Sequence, residues 1–197
     1  MLEQLQGVSP ETLCIFMASK LQTFMKKVRL PFFFIGTIVM LIVMAKTGAS
    51  LKTATTPLGI LNLEFAYNTA QTNNIINAWY STGEPNNVLA AIYNTFYDFL
   101  FLFFYAGFLF LACKKIAANI KGPVAKAGNL IARGALLAGV LDVLENTGML
   151  LTLHGYTSNA VAFLTVFFSV IKWALAIIAV LYVLTGLLQW VYQKMKY

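Results

Sequence analysis

Four ionisable residues, Asp98, Asp142, Glu145 and Lys172, lie deep inside long apolar stretches of this 197-residue chain. An ionisable side chain at the centre of a membrane helix costs roughly 2.5–3.5 kcal/mol on insertion scales, so such groups are rare unless they pair or line a cavity. Carboxyl groups held in place beside a substrate can donate and accept protons as general acids and bases. We therefore take these four residues as the candidate catalytic site.

Further polar side chains are predicted to share the helix faces of these four groups. Residues spaced i, i+3 and i+4 lie on one side of a helix, and this spacing relates Asp142, Glu145 and Asn146. The same face continues through small residues such as Ala138 and Gly139, which let neighbouring helices approach closely. It is therefore predicted to point into a helix bundle. The candidate ligand-binding residues are Asn94, Tyr105, Asn146, Ser169 and Trp173.

Three carboxyl groups and one ammonium cannot all be charged comfortably in a dry interior. Lys172 can neutralise one carboxylate, and the cluster is expected to titrate as a coupled set that holds at least one proton near neutral pH. This supports an acid/base or proton-linked function. The alternative is a buried ion-pair network that only fixes the register of the helices.

The composition is that of an integral membrane protein. Hydrophobic residues make up 59% of the chain and charged residues 11%, whereas soluble domains carry about 25% charged residues. Apolar runs reach the ~20 residues that a helix needs to cross a bilayer. We predict one all-α domain, a bundle of four transmembrane helices over residues 31–46, 88–113, 134–154 and 160–190.

Two segments outside these spans are also predicted to be helical. Residues 1–30 form an interfacial amphipathic helix that leads into the first span, or alternatively extend that span. Residues 47–87 form an extracytoplasmic helical loop, with a turn at 57–59 and a helical pattern over 62–80, that caps the bundle. Trp79 and Tyr80 suit the headgroup level. Glu64 and Glu84 are expected to be solvated and without a role.

Basic residues indicate the orientation. Four precede the first span, five lie in the loop 114–133 and two are in the tail 191–197, whereas the opposite side carries only Lys46 and Lys52. By the positive-inside rule, both termini are cytoplasmic in a multi-pass protein of the inner (plasma) membrane. The basic residues stand at span ends without aromatic stacking partners, so no nucleic-acid partner is expected.

The chain has few His and Cys residues, which argues against a metal site and a disulfide. One His and the separated Cys14 and Cys113 provide no zinc-type spacing, so we expect no metal and no cofactor. Both cysteines are predicted on or near the cytoplasmic face, where thiols stay reduced, so no disulfide is expected.

Three motifs carry a resemblance. They are Pro57-Leu58-Gly59-Ile60 with Leu63-Glu64-Phe65-Ala66, then Asp98-Phe99-Leu100-Phe101 with Tyr105, and then the D-x-x-E-N element from Asp142 to Asn146. Over most of residues 55–155 the chain resembles a group of small four-span bacterial membrane proteins without an assigned activity. The resemblance implies a four-helix bundle and brings no substrate or catalytic role with it.

Three classes of function remain open. The first is an enzyme acting on a lipid-like or isoprenoid substrate, with Asp98 and Glu145 as acid and base; the absence of nucleophile and metal motifs favours isomerisation or proton transfer. The second is a proton- or cation-coupled transporter subunit, which would need to form a homodimer to enclose a pathway. The third is an assembly protein with a structural polar core. The expected partner in the first class is a membrane lipid or a hydrophobic small molecule.

Overall fold

The fold is described by a computed structural model, which gives the backbone of residues 10–81 and 87–195 and the side chains of residues 29–81 and 87–195. Every regular element in these ranges is helical. The elements are α1 (Pro10–Thr47), a 3-10 turn (Ala49–Leu51), α2 (Ile60–Glu64), α3 (Thr69–Ser81), α4 (Asn87–Asn119), α5 (Pro123–Leu153) and α6 (Asn159–Met195). Four helices are long and apolar enough to cross a membrane: α1 from Arg29 onward, α4, α5 and α6. The prediction of an all-α four-span bundle is confirmed.

Helix α1 runs without a break from Pro10 to Thr47, with Pro31 inside it. A proline inside a helix removes one backbone hydrogen bond and commonly bends the helix, but it does not end this one. From Pro10 onward the amphipathic segment is thus helical and continuous with the first span, which corresponds to the alternative that it extends that span. Glu84, which was expected to be solvated, lies outside the described residues, as does the side chain of Cys14.

Helix α4 is central, because it packs against α1, α5 and α6, while α5 also packs along α6. Two close approaches fix α1 on α4: the ring of Phe104 lies against Gly36, and the ring of Phe33 lies against Gly107. The main packing of α1 is on α4 and not on α6. This leaves room between α1 and α6, in front of α4.

Two apolar clusters stack along the bundle. One joins α4, α5 and α6 towards the α4–α5 connection, and Cys113 is a buried free thiol within it. The other packs the loop, through Leu51, Leu63 and Trp79, against Met149 and Leu153 of α5 and the start of α4. The polar faces predicted on α4, α5 and α6 lie between these clusters.

The loop between α1 and α4 folds into the bundle. The predicted turn at 57–59 is present, and it ends at Gly59, whose φ of 63° suits a residue without a side chain. The helical pattern expected over 62–80 is interrupted at residues 65–68, which separate α2 from α3. Trp79 is fully buried within the protein, whereas Tyr80 is exposed. The place of both residues at the headgroup level stays a prediction.

Candidate functional site

The predicted polar residues of three long helices lie at one depth. Asp98 follows the start of α4 by eleven residues, Asp142 precedes the end of α5 by eleven and Lys172 follows the start of α6 by thirteen. At a rise of 1.5 Å per residue these positions are about 16, 16 and 20 Å from those helix ends. The ends in question are neighbours in the bundle, so the residues meet in a single layer.

Lys172 is the centre of this layer. Its Nζ lies 2.9 Å from Asp142 Oδ1 and 2.8 Å from Glu145 Oε2, with a third carboxylate, Glu64 Oε2, at 3.6 Å. All four side chains are buried. The ammonium therefore ties α6 to α5 and to the loop helix α2. Among the described residues, no group of His, Cys, Asp and Glu is arranged to hold a metal ion.

Asp142 is the best-partnered carboxylate. Besides the ammonium, it accepts a hydrogen bond at Oδ2 from the Tyr105 hydroxyl (2.7 Å) and a long one at Oδ1 from Asn146 Nδ2 (3.4 Å). Charge-assisted hydrogen bonds of this kind are roughly twice as strong as neutral ones. Asp142 is thus held by donors from α4, α5 and α6.

Asp98 has fewer partners. Asn146 Nδ2 donates to Asp98 Oδ2 at 2.8 Å, so one amide bridges Asp98 and Asp142. Within the described part of the chain, the other oxygen of Asp98 accepts no hydrogen bond. The side chain is 8% exposed and lines a cavity, whereas Glu145 is 0% exposed and does not. Asp98 is therefore the carboxyl group with an oxygen left for a ligand.

Glu145 lies behind Lys172. Its Oε2 faces the ammonium, and its Oε1 is buried and meets no hydrogen-bond donor in the ranges that the structure describes. Asp98 and Glu145, which were predicted to act together as acid and base, thus do not face the same space. The two carboxyl groups that share a bridging amide and face the cavity are Asp98 and Asp142.

Glu64 is the residue that sequence reasoning missed. It was expected to be solvated, but it is 6% exposed and accepts hydrogen bonds at Oε2 from Ser169 Oγ (3.3 Å) and Trp173 Nε1 (3.2 Å). The prediction was wrong because the short helix α2 turns into the bundle and ends at this residue. A signal was present: Glu64 is flanked by Leu61, Leu63, Phe65 and Ala66, so it is an acid inside an apolar run.

The remaining predicted site residues divide into two groups. Ser169 and Trp173 contact Glu64, as described above. Asn94 instead binds the end of α1, where its Nδ2 donates to the Met44 carbonyl (3.0 Å) and to Thr47 Oγ1 (2.7 Å). Its Oδ1 is buried and accepts no hydrogen bond from the described residues. Asn94 thus attaches α1 to α4 at one end of the cavity.

A cavity of about 510 Å³ lies between α1 and α6, in front of α4. Its floor carries Asp98, Asp142, Asn146, Lys172 and Glu64, and its walls are almost entirely apolar or aromatic. Three lining residues on α1 and α6, Leu41, Trp173 and Val180, are 47%, 41% and 43% exposed on the surface of the bundle. The cavity therefore lies next to the exposed outer faces of α1 and α6, within the stretches of these helices that are apolar enough to cross a membrane.

A second cavity of about 160 Å³ continues along the same three helices. It is lined by Leu30, Lys115, Asn119 and Trp190 among others, and Phe108 lies in the wall of both cavities. The second cavity thus lies further from the polar layer, towards the basic end of α4.

Fold and site together define a four-span helical membrane protein whose buried lysine–carboxylate cluster faces a lateral cavity. No family model, curated protein or solved structure matches the chain. Its function is therefore argued from the site alone.

Proposed function

We propose that this protein binds a lipid-like or other hydrophobic ligand from the bilayer in the cavity between α1 and α6, and that Asp98 exchanges a proton with it. The observation that supports this proposal is an apolar cavity of about 510 Å³ with an acidic floor. Ligand pockets are typically about 300–1,000 Å³, mostly apolar, with a few convergent polar groups. This cavity has both properties.

The roles follow from the contacts. Asp98, with one oxygen unpartnered in the described chain, is the group that donates or accepts the proton. Asn146 bridges it to Asp142, which Lys172 and Tyr105 hold in place. Glu145 then acts through Lys172, as a positioning residue, because it does not line the cavity. Acid/base chemistry requires the catalytic group within hydrogen-bond reach of the ligand, and Asp98 lines the cavity in which the ligand is proposed to bind.

The first prediction concerns Asp98→Asn. We expect the gently purified protein to carry about one amphiphile per chain. The variant should carry at least about tenfold less, which corresponds to a loss of about 1.4 kcal/mol of binding free energy. Native mass spectrometry with lipidomics measures this. Tyr97→Phe is the matched control, because Tyr97 is an exposed neighbour on α4. The same bulk phospholipid in all three proteins would contradict the proposal.

Transport is the second candidate function. It is favoured by the second cavity, which shares Phe108 with the first and continues towards the other end of α4. Relays of buried carboxyl and lysine groups are a common device of proton-coupled transporters. Proton flux in liposomes distinguishes the two functions: an Asp98-dependent flux would favour transport, and ligand binding without flux would favour an enzyme or a binding protein.

We propose the inner (plasma) membrane as the location, with both termini cytoplasmic, on the basis of the basic residues in the α4–α5 connection. Single cysteines at Lys121 and Thr157, in a chain with Cys14 and Cys113 replaced, test this. A membrane-impermeant maleimide is expected to label Thr157→Cys on intact cells and Lys121→Cys only after permeabilisation. The reverse labelling would overturn the orientation.

A further inference from the structure

The polar layer contains more carboxyl groups than cationic groups. Four carboxyl groups, of Glu64, Asp98, Asp142 and Glu145, lie around a single ammonium, and Lys172 is the only cation that reaches them among the described residues. Buried charges are stable only when they are paired and hydrogen-bonded. Lys172 lies against Asp142 and Glu145, so Asp98 is the cavity-facing carboxyl group without a cation of its own.

The Asp98 carboxyl group is the polar contact on α4 that a ligand can complete. One of its oxygens accepts no hydrogen bond from the described chain, and the residue lines the cavity. A ligand that pairs with the Asp98 carboxylate brings N–H or O–H groups to this oxygen.

The aromatic lining selects among such ligands. Phe101, Tyr105, Phe108 and Trp173 surround the acidic floor, and Lys172 Nζ already lies 5.6 Å from the centre of the Trp173 ring. Aromatic faces attract cations, and the attraction strengthens where water is excluded. A phosphate or carboxylate head would instead meet several carboxyl groups and one lysine that is already paired.

We propose that the ligand of this cavity is a lipophilic amine bound as its ammonium ion, with the N–H groups on Asp98 and the apolar chain along Phe108 and Val180. This inference rests on the proposed function and names its ligand class. It also gives Asp98 a defined partner: the carboxylate holds either the ammonium ion or a proton, so that binding the amine and binding a proton exclude each other at this oxygen.

Three ten-carbon probes that differ only in the head test the inference: decylamine, decan-1-ol and decyl phosphate. Each is titrated into the full chain in detergent, and one-to-one adducts are counted by native mass spectrometry. We expect the amine to bind at least about tenfold more tightly than the other two, and Asp98→Asn to remove that preference. Asp98→Glu, which retains the charge, and Tyr97→Phe are expected to keep it.

The alternatives separate the inference from the proposed function. If decanol binds as well as the amine and Asp98→Asn changes neither, the cavity takes hydrophobic ligands but the amine is wrong. A preference for decyl phosphate would also overturn the inference. If no probe binds and no amphiphile co-purifies, the proposed function fails with it. Circular dichroism of each variant shows whether a loss of binding comes from a loss of fold.

Discussion

Lys172→Met is expected to lower the free energy of unfolding by about 3–5 kcal/mol, the usual result of removing one partner from a buried ion pair. Methionine has a similar length and fills the space, so the loss comes from charge and not from a void. The ammonium that it removes lies 2.9 Å from Asp142 and 2.8 Å from Glu145. Unfolding by SDS in mixed micelles, followed by circular dichroism, measures the change.

Lys46→Met is the matched control for this variant. Lys46 stands exposed in the last turn of α1, so its replacement should change stability by no more than about 0.5 kcal/mol, as is usual for surface sites. Equal effects of the two lysine variants would contradict the prediction.

A second substitution identifies which buried carboxylate is left without a partner when Lys172 is replaced. Asp142 keeps the Tyr105 hydroxyl and the Asn146 amide, but Glu145 keeps no donor from the described residues. Adding Glu145→Gln to Lys172→Met should therefore recover a large part of the lost stability, whereas Glu145→Gln alone should destabilise. Additive losses in the double variant would mean that Lys172 and Glu145 are not energetically coupled.

The periodic part of this fold could be predicted from the sequence. Long apolar runs form helices in a membrane, because the bilayer core offers no hydrogen-bond partners and the backbone must satisfy its own N–H and C=O groups. The polar stripes of α4, α5 and α6 were found for the same reason: spacing determines which side chains share a face, and a buried polar face must point inward. Asp98, Asp142 and Lys172 accordingly lie together.

Periodicity says which face a residue is on, but not which neighbour it meets. Asn94 shares a face with Asp98, yet it binds α1, because the end of α1 crosses α4 at that level. Glu145 and Asp142 also share a face, but only Asp142 reaches the cavity. These distinctions depend on the space between α1 and α6, which is a property of packing and has no signature along one helix.

The loop could be predicted least. Glu64 belongs to a five-residue helix, too short to show a period, and its burial comes from contacts with Ser169 and Trp173 more than a hundred residues away. Trp79 was assigned to the headgroup level on its residue type, which does not predict that its indole N–H donates to Leu51 and Thr56 inside the loop. Glu64 and Trp79 belong to the same segment, whose position is set by tertiary contacts.

Trp79→Ala is expected to release this loop from the bundle at a cost of about 3–5 kcal/mol, as for other buried aromatic residues cut back to alanine. Trp79 is fully buried among Leu51, Leu63 and Met149. Its Nε1 donates to the Leu51 carbonyl (3.0 Å) and to Thr56 Oγ1 (3.1 Å), so it joins α3 to the segment before α2. Losing this contact should free α2 and withdraw Glu64 from Lys172.

Hydrogen exchange of the loop amides measures the effect of Trp79→Ala. We expect faster exchange over residues 51–64 and 69–81, with little change in α4, α5 and α6, because the apolar cluster that joins these three helices does not involve the loop. Tyr80→Ala is the control, since the neighbouring Tyr80 is exposed. Trp79→Phe keeps part of the packing and loses the hydrogen bonds, so it should cost less than Trp79→Ala. Unchanged exchange in Trp79→Ala would mean that Glu64 is held in place by its own contacts with α6, and that Trp79 contributes nothing to the position of the site.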